Sequence, residues 1–240
     1  VGIVIFFVSP FLSYTAMYLI FGSVIIAGGI WAGTQNPVRS NMVIQKKKLV
    51  LKKAYLLFYF LTFMAGARRQ IFMAFAVFLL VKKFGFSVQQ ITLLFMVNNL
   101  VNFFINPMIG RFIVRYGERK LLSIEYFSLI LIFTAYAVVD SKSLAAALYI
   151  LDHVFFNFST AIKTYFQKIA DPEDIASSAA VGFTINHIAA VILPAAGGFL
   201  WMLDDRIPFF AGAFLSFISL CLVQLIKLPA PSVRVTPTAV

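Results

Sequence analysis

Lys52-Lys53, then AYLLFYFLTFMAGARRQIFMAFAVFLLV over residues 54–81, then Lys82-Lys83: this stretch decides the fold. A bilayer core about 30 Å thick takes about 20 apolar helical residues, and the run supplies them with lysines at both ends to reach the headgroups. Arg68-Arg69-Gln70 stands near its centre, about equally far from Lys53 and Lys82. Split at the arginines, each half is too short to cross, so the pair lies near mid-membrane.

Working outward, six more runs have the same character. Phe11 to Ala32 is a first complete span after Ser9-Pro10, and Val1 to Phe7 reads as the end of an earlier helix. After the Gly85-Phe86-Ser87 turn comes a third span, Val88 to Ile109, expected to end at Pro107 and Gly110, both common helix breakers. The fourth is Leu121 to Val139, the fifth Leu144 to Ala161 with its helix continuing to Lys168, the sixth Ala176 to Leu203 and the seventh Ile207 to Ile226. Asp171-Pro172-Glu173-Asp174 has the form of a helix start, with a capping aspartate and proline at the first position. Strands of a membrane barrel alternate in and out over about 9 to 11 residues. These runs are apolar on every face, so the fold expected is all-α, a polytopic transmembrane helical bundle.

Composition agrees. Of 240 residues, 61% are hydrophobic, 12% are charged and 28 are phenylalanine, against about 45–50% apolar and about 25% charged in soluble domains. Such a chain cannot cover itself with polar surface, which excludes soluble enzymes and nucleic-acid binders. The net charge of +11 does not point to nucleic acid, because the 20 basic residues sit between the apolar runs. Fourteen fall on one side of an alternating topology, four on the other (Lys82, Lys83, Lys142, Arg206) and two in the membrane (Arg68, Arg69). Positive charge is retained on cytoplasmic loops, so the basic loop 33–53 and the tail 228–240 are expected in the cytoplasm. Lys46-Lys47-Lys48 would attract anionic headgroups. The single cysteine, Cys221, allows neither an intrachain disulfide nor a thiolate metal cluster, and no metal or cofactor is expected.

Between the third and fourth spans, Gly110-Arg111-Phe112-Ile113-Val114-Arg115-Tyr116-Gly117-Glu118-Arg119-Lys120 resembles the signature loop of the major facilitator superfamily, matching at Gly110, Arg115, Gly117, Arg119 and Lys120. It departs at Val114, where the family has an aspartate, and at Glu118, departures that favour the second, degraded copy of the motif. Gly85 to Ile91 resembles the family's short external loop, and Asp171 to Asp174 its loop before the penultimate helix. Pro194-Ala195-Ala196-Gly197-Gly198 is similar to the family's antiporter motif, with Leu193 in place of its glycine.

The resemblance implies that residues 1–32 end the N-terminal half, 33–53 are the central basic linker and 54–227 form the C-terminal six-helix half, built as two inverted three-helix repeats. A missing N-terminal half of the same polypeptide is then a required partner, with the lipid bilayer and a small solute. It implies further that the second, third, fifth and sixth spans line a central pathway, while the first, fourth and seventh are peripheral. Glu125, in the fourth span, would reach headgroup water or Arg119.

An ionisable group in mid-membrane faces a cavity or a partner by default. One of Arg68 and Arg69 should face the pathway, since neighbours on a helix diverge by about 100°; a guanidinium there anchors a carboxylate or phosphate, or else bonds a neighbouring helix or Asp152. Gln70 lies beside them. Asn98 and Asn102 are pathway candidates or interhelical glue. Asp152 and His153 form a proton relay or an ion pair with the arginines, and Asn157 lies on the same span in the stripe with His153. Asn186 and His187 complete the candidates in the sixth span. Pro194, Gly197 and Gly198 make a hinge there, or merely permit close packing.

These features together predict a secondary transporter, a symporter or antiporter of a small organic solute, working by alternating access and driven by a proton or solute gradient. Arg68 and Arg69 lean the substrate towards an anion. A plasma or inner membrane is the expected location. The alternatives are a non-transporting membrane scaffold or receptor and an intramembrane enzyme, the latter disfavoured because neither His-Glu-x-x-His nor Gly-x-Ser-x-Gly occurs.

Overall fold

The computed structural model describes residues 13–35 and 49–227. Every regular element among them is helical. The opening stub, Ser9-Pro10, most of the basic linker and the proline-bearing tail lie outside the described residues. Helix α1, Tyr14–Thr34, belongs to a unit of its own. Ser13 caps it by accepting from the Ala16 N–H at 3.3 Å, and its large apolar side chains, Tyr18 to Trp31, are exposed, a surface suited to lipid.

The second unit carries α2 (Leu56–Lys82), α3 (Val88–Tyr116), α4 (Glu118–Val138), α5 (Lys142–Phe156), α6 (Thr160–Ile169), α7 (Ile175–Leu203) and α8 (Ile207–Val223). The stretches Lys53–Lys82, Val88–Tyr116, Glu118–Val138, Lys142–Ile169 and Pro172–Leu203 are long and apolar enough to cross a bilayer, while Tyr18–Thr34 and Ile207–Val223 are apolar but shorter. Helix α4 packs on α8, α2 on α7 and α8, and α3 on α5.

Local chemistry sets the boundaries. Ser87 and Gln90 close a reciprocal capping box at the start of α3, after Gly85 at φ 61°. The third span does not end at Pro107 or Gly110: α3 runs on to Tyr116 with Pro107 inside it, as membrane helices tolerate. The break falls instead at Gly117, whose φ of 79° and ψ of 158° suit only glycine. Val114 therefore sits on the helix, 88% exposed. Asp171 starts the sixth span with Pro172 behind it, but as a 3-10 turn, Pro172–Asp174, without a side-chain cap. The Asp171 carboxylate accepts from Lys52 Nζ at 2.6 Å instead. The seventh span stops at Val223 rather than Ile226, because Gln224 folds back to donate to Ser123 Oγ at 3.0 Å and to accept from Arg119.

Two apolar cores stand at opposite ends of this unit. One gathers Phe72, Leu79, Phe133, Tyr136, Tyr149 and Phe209; the other gathers Tyr55, Phe58, Leu122, Tyr126, Phe166 and Val223. Between them in sequence, on α2, α3, α5 and α8, fall the buried polar residues Arg68, Asn98, Asp152, Ser216 and Ser219, with Glu125 of α4 at the border. The unit thus has a polar layer between two apolar ones.

Candidate functional site

A cavity of about 630 Å³ opens among α2, α6 and α7. Its walls follow helical spacing: Phe58, Thr62, Gly66, Arg69 and Gln70 on α2, then Ile175, Ala179, Gly182, Asn186 and His187 on α7. The third wall comes from the end of α5 and from α6, with Phe156, Ser159, Ile162, Lys163, Phe166 and Gln167. The α2 and α7 walls run parallel and touch closely. A Cβ on Gly66 would sit 2.0 Å from Asn186 Oδ1, and one on Gly197, farther along, 2.5 Å from the Phe75 ring. Helix α6 runs antiparallel to α2. Phe166 stacks on Phe58 with centroids 4.1 Å apart, and the Arg69 guanidinium lies 4.7 Å from the Phe156 ring centroid.

Arg69, Gln70, Asn186 and His187 are the predicted pathway residues that this cavity brings together. The adjacent arginines divide as helical geometry requires. Arg69 is exposed to the cavity, whereas Arg68, 1% exposed, turns away into the interface of α2, α4 and α8. There its Nη1 donates to Ser219 Oγ at 2.5 Å, its Nη2 stands 3.7 Å from Glu125 Oε1, and its guanidinium lies 4.4 Å from the Tyr126 ring centroid. Glu125 reaches neither headgroup water nor Arg119, because burial is complete and its one cationic contact among the described residues is Arg68. The fourth and seventh spans, expected to be peripheral and apolar, supply this buried arginine's partners.

Asn98, Asn102, Asp152, His153 and Asn157 do not line the cavity. Asn157 donates to Asn102 Oδ1 at 2.6 Å and Asn102 to Asn98 Oδ1 at 3.2 Å, a chain that ties α3 to the 3-10 turn Asn157–Ser159 in the fifth span. Such a tightening in mid-span commonly marks a hinge or a functional site. Asp152 is buried within electrostatic reach of Arg68 and Arg69, but no ion pair joins it to either. His153 Nδ1 lies 3.0 Å from Tyr149 O, with its ring against Phe72 and Tyr149. His187 Nδ1 is likewise 2.9 Å from Phe183 O, its ring 4.1 Å from that of Phe183.

The signature residues cluster at the α3–α4 junction. Gly110 lies within α3, Arg115 near its end, and Arg119 binds Gln224 Oε1 at 3.0 and 3.2 Å. Lys120 is exposed. Glu118, the departure from the motif, is buried and receives Lys168 Nζ at 2.5 Å. In α7, Pro194 sits within a continuous helix, Gly197 faces Phe75 and Gly198 faces open space.

A family model described as Major Facilitator Superfamily matches residues 1–194 and again residues 58–239. The chain belongs to the major facilitator superfamily. No curated protein and no solved structure matches it. As a major facilitator chain it is an integral, multi-pass member of a family of membrane transporters, not of enzymes.

The cavity of this major facilitator protein has a one-sided charge. Arg69 and Lys163 line it, and none of the chain's nine carboxylates does. In the sequence Lys163 follows the apolar core of the fifth span, Leu144 to Ala161, and so falls among the fourteen basic residues of one membrane side. Its helix carries it back into the cavity.

Proposed function

We propose that residues 54–227 are the C-terminal six-helix half of a secondary transporter for a small organic anion, and that the α2–α6–α7 cavity is this half's share of the substrate site. The observation that carries the reading is the pairing of Arg69 with Lys163 in a cavity without a carboxylate. Exposed to one cavity with no carboxylate beside them, two cations favour an anion over a neutral or cationic solute. Arg69 supplies paired donors for a carboxylate, Lys163 a second positive charge, and Gln70, Asn186 and Ser159 neutral hydrogen-bonding groups.

Coupling to protons runs through Asp152, with His153 beside it. A proton taken up and released there as the two halves rock would couple movement of the anion to the proton gradient. The N-terminal half closes the cavity from its other side, and the two halves rock about it. The basic loop 33–53 and the C-terminal tail face the cytoplasm of a plasma or inner membrane, in line with the excess of positive charge on their side.

The test is uptake of labelled organic anions, cations and sugars by the full-length protein in proteoliposomes, with and without an inward proton gradient. Anion uptake stimulated by the gradient is expected. Uptake of sugars or cations alone would remove the anion reading, and no flux of any solute would favour a scaffold or receptor.

A further inference from the structure

The two cations of the cavity stand at different heights. Phe166 lies opposite Phe58 and Phe156 opposite Arg69, so antiparallel pairing sets Lys163 opposite residue 61 or 62. Arg69 is then seven or eight residues farther along α2, which at about 1.5 Å per residue puts the two backbones' levels about 10–12 Å apart. Between those levels the wall carries no charge: Ala65, Gly66 and Ile162 are apolar, and Asn186, against Gly66, and Ser159 add neutral hydrogen-bonding groups. A compact monoanion on Arg69 would leave Lys163 without a counter-charge in the same cavity.

We infer that the substrate is an elongated organic dianion, with one anionic end on Arg69, the other on Lys163 and an uncharged middle along Ile162, Ser159 and Asn186. The inference rests on the anion reading above and adds to it the number and spacing of charges. Two carboxylates joined by an uncharged chain fit this order of charged, neutral and charged wall, because each carboxylate gains a charge-assisted hydrogen bond. A monoanion leaves one of the two cations without a counter-charge.

The experiment is the shift in thermal unfolding midpoint of the purified full-length protein on adding succinate, adipate, suberate or hexanoate, since a ligand of the native state raises the midpoint in proportion to its affinity. Adipate or suberate should bind about tenfold or more tightly than hexanoate, roughly the worth of one charge-assisted hydrogen bond. Lys163→Gln should abolish that preference and retain hexanoate binding, Lys163→Arg should restore it, and Arg69→Gln should lose both ligands. Equal binding of adipate and hexanoate by the unmodified protein, or a preference that survives Lys163→Gln, would overturn the dianion inference and leave the anion reading standing. Absence of a shift with any of the four acids, in protein that takes up sugars or cations in proteoliposomes, would overturn both.

Discussion

Removing the Arg68 guanidinium would strand Glu125, which is fully buried and has no other cationic contact among the described residues. Breaking a buried pair by deleting one partner costs about 3–5 kcal/mol, whereas replacing both by apolar groups is often neutral. Arg68→Ala should therefore lower the unfolding midpoint sharply, and Arg68→Met with Glu125→Leu should recover most of the loss. A double variant no better than the single one would mean that the pair is not coupled. The glycines of α7 make a second contrast at this scale. Gly197→Ala places a methyl 2.5 Å from the Phe75 ring, while Gly198→Ala meets nothing within 4 Å. The first should destabilise by about 1–3 kcal/mol through overpacking and the second should be neutral in the same thermal assay. Loss of flux in Gly198→Ala without loss of stability would instead give that position a hinge role. Helical geometry alone required Arg68 and Arg69 to diverge, but the sequence did not say which way each turned. Ser219, unremarkable in a span expected to be peripheral, and Glu125, expected at headgroup water or Arg119, decide it.

At the scale of elements, ion pairs help to hold the turns at the helix ends. Lys83 Nζ stands 2.9 Å from Asp140 and donates to Val139 O at 2.7 Å, joining the ends of α2 and α4. The hydrogen bond from Lys83 holds the Asp140 carboxyl below the usual carboxylate range. Its contribution is present above the ordinary carboxylate pKa and is lost as pH falls through the lowered value. Amide exchange, corrected for its intrinsic pH dependence, should show the 83–87 and 139–142 turns loosening on acidification, and Asp140→Asn should show the same at neutral pH. Protection unchanged by either would mean that the pair does not hold this end. Lys52, held by Asp171 and Asp174, has its pKa raised by those hydrogen bonds; this clamp is complete below the ordinary lysine value and loosens only as pH rises through the raised one. Most of the helices were legible in the sequence, because apolar runs and the Ser87 and Pro172 signals are local. The continuation of α3 through Pro107 was not, because it depends on how neighbouring helices and side chains re-satisfy a freed carbonyl. Nor was the 3-10 turn at Asn157, since the Asn102 side chain that meets it comes from a distant part of the chain.

At the scale of the whole molecule, the polar layer between two apolar cores separates two duties. The side of α2 that bears Arg68 faces α4 and α8, where charge is enclosed and holds the bundle. The side that bears Arg69 faces α6 and α7, where charge is exposed to the cavity. Family membership and helical class followed from the order and spacing of motifs along the sequence, whereas the cavity's charge depended on Lys163, whose place on α6 only the packing of three helices reveals. The account turns on this division. Its most direct test compares Arg69→Ala with Arg68→Ala in proton-driven uptake of the transported organic anion by the full-length protein in proteoliposomes, with each flux divided by the amount of folded protein. The prediction is that Arg69→Ala abolishes uptake and leaves the unfolding midpoint near that of the unmodified protein, while Arg68→Ala lowers the midpoint and retains uptake per folded molecule. Undiminished uptake by Arg69→Ala would contradict the account.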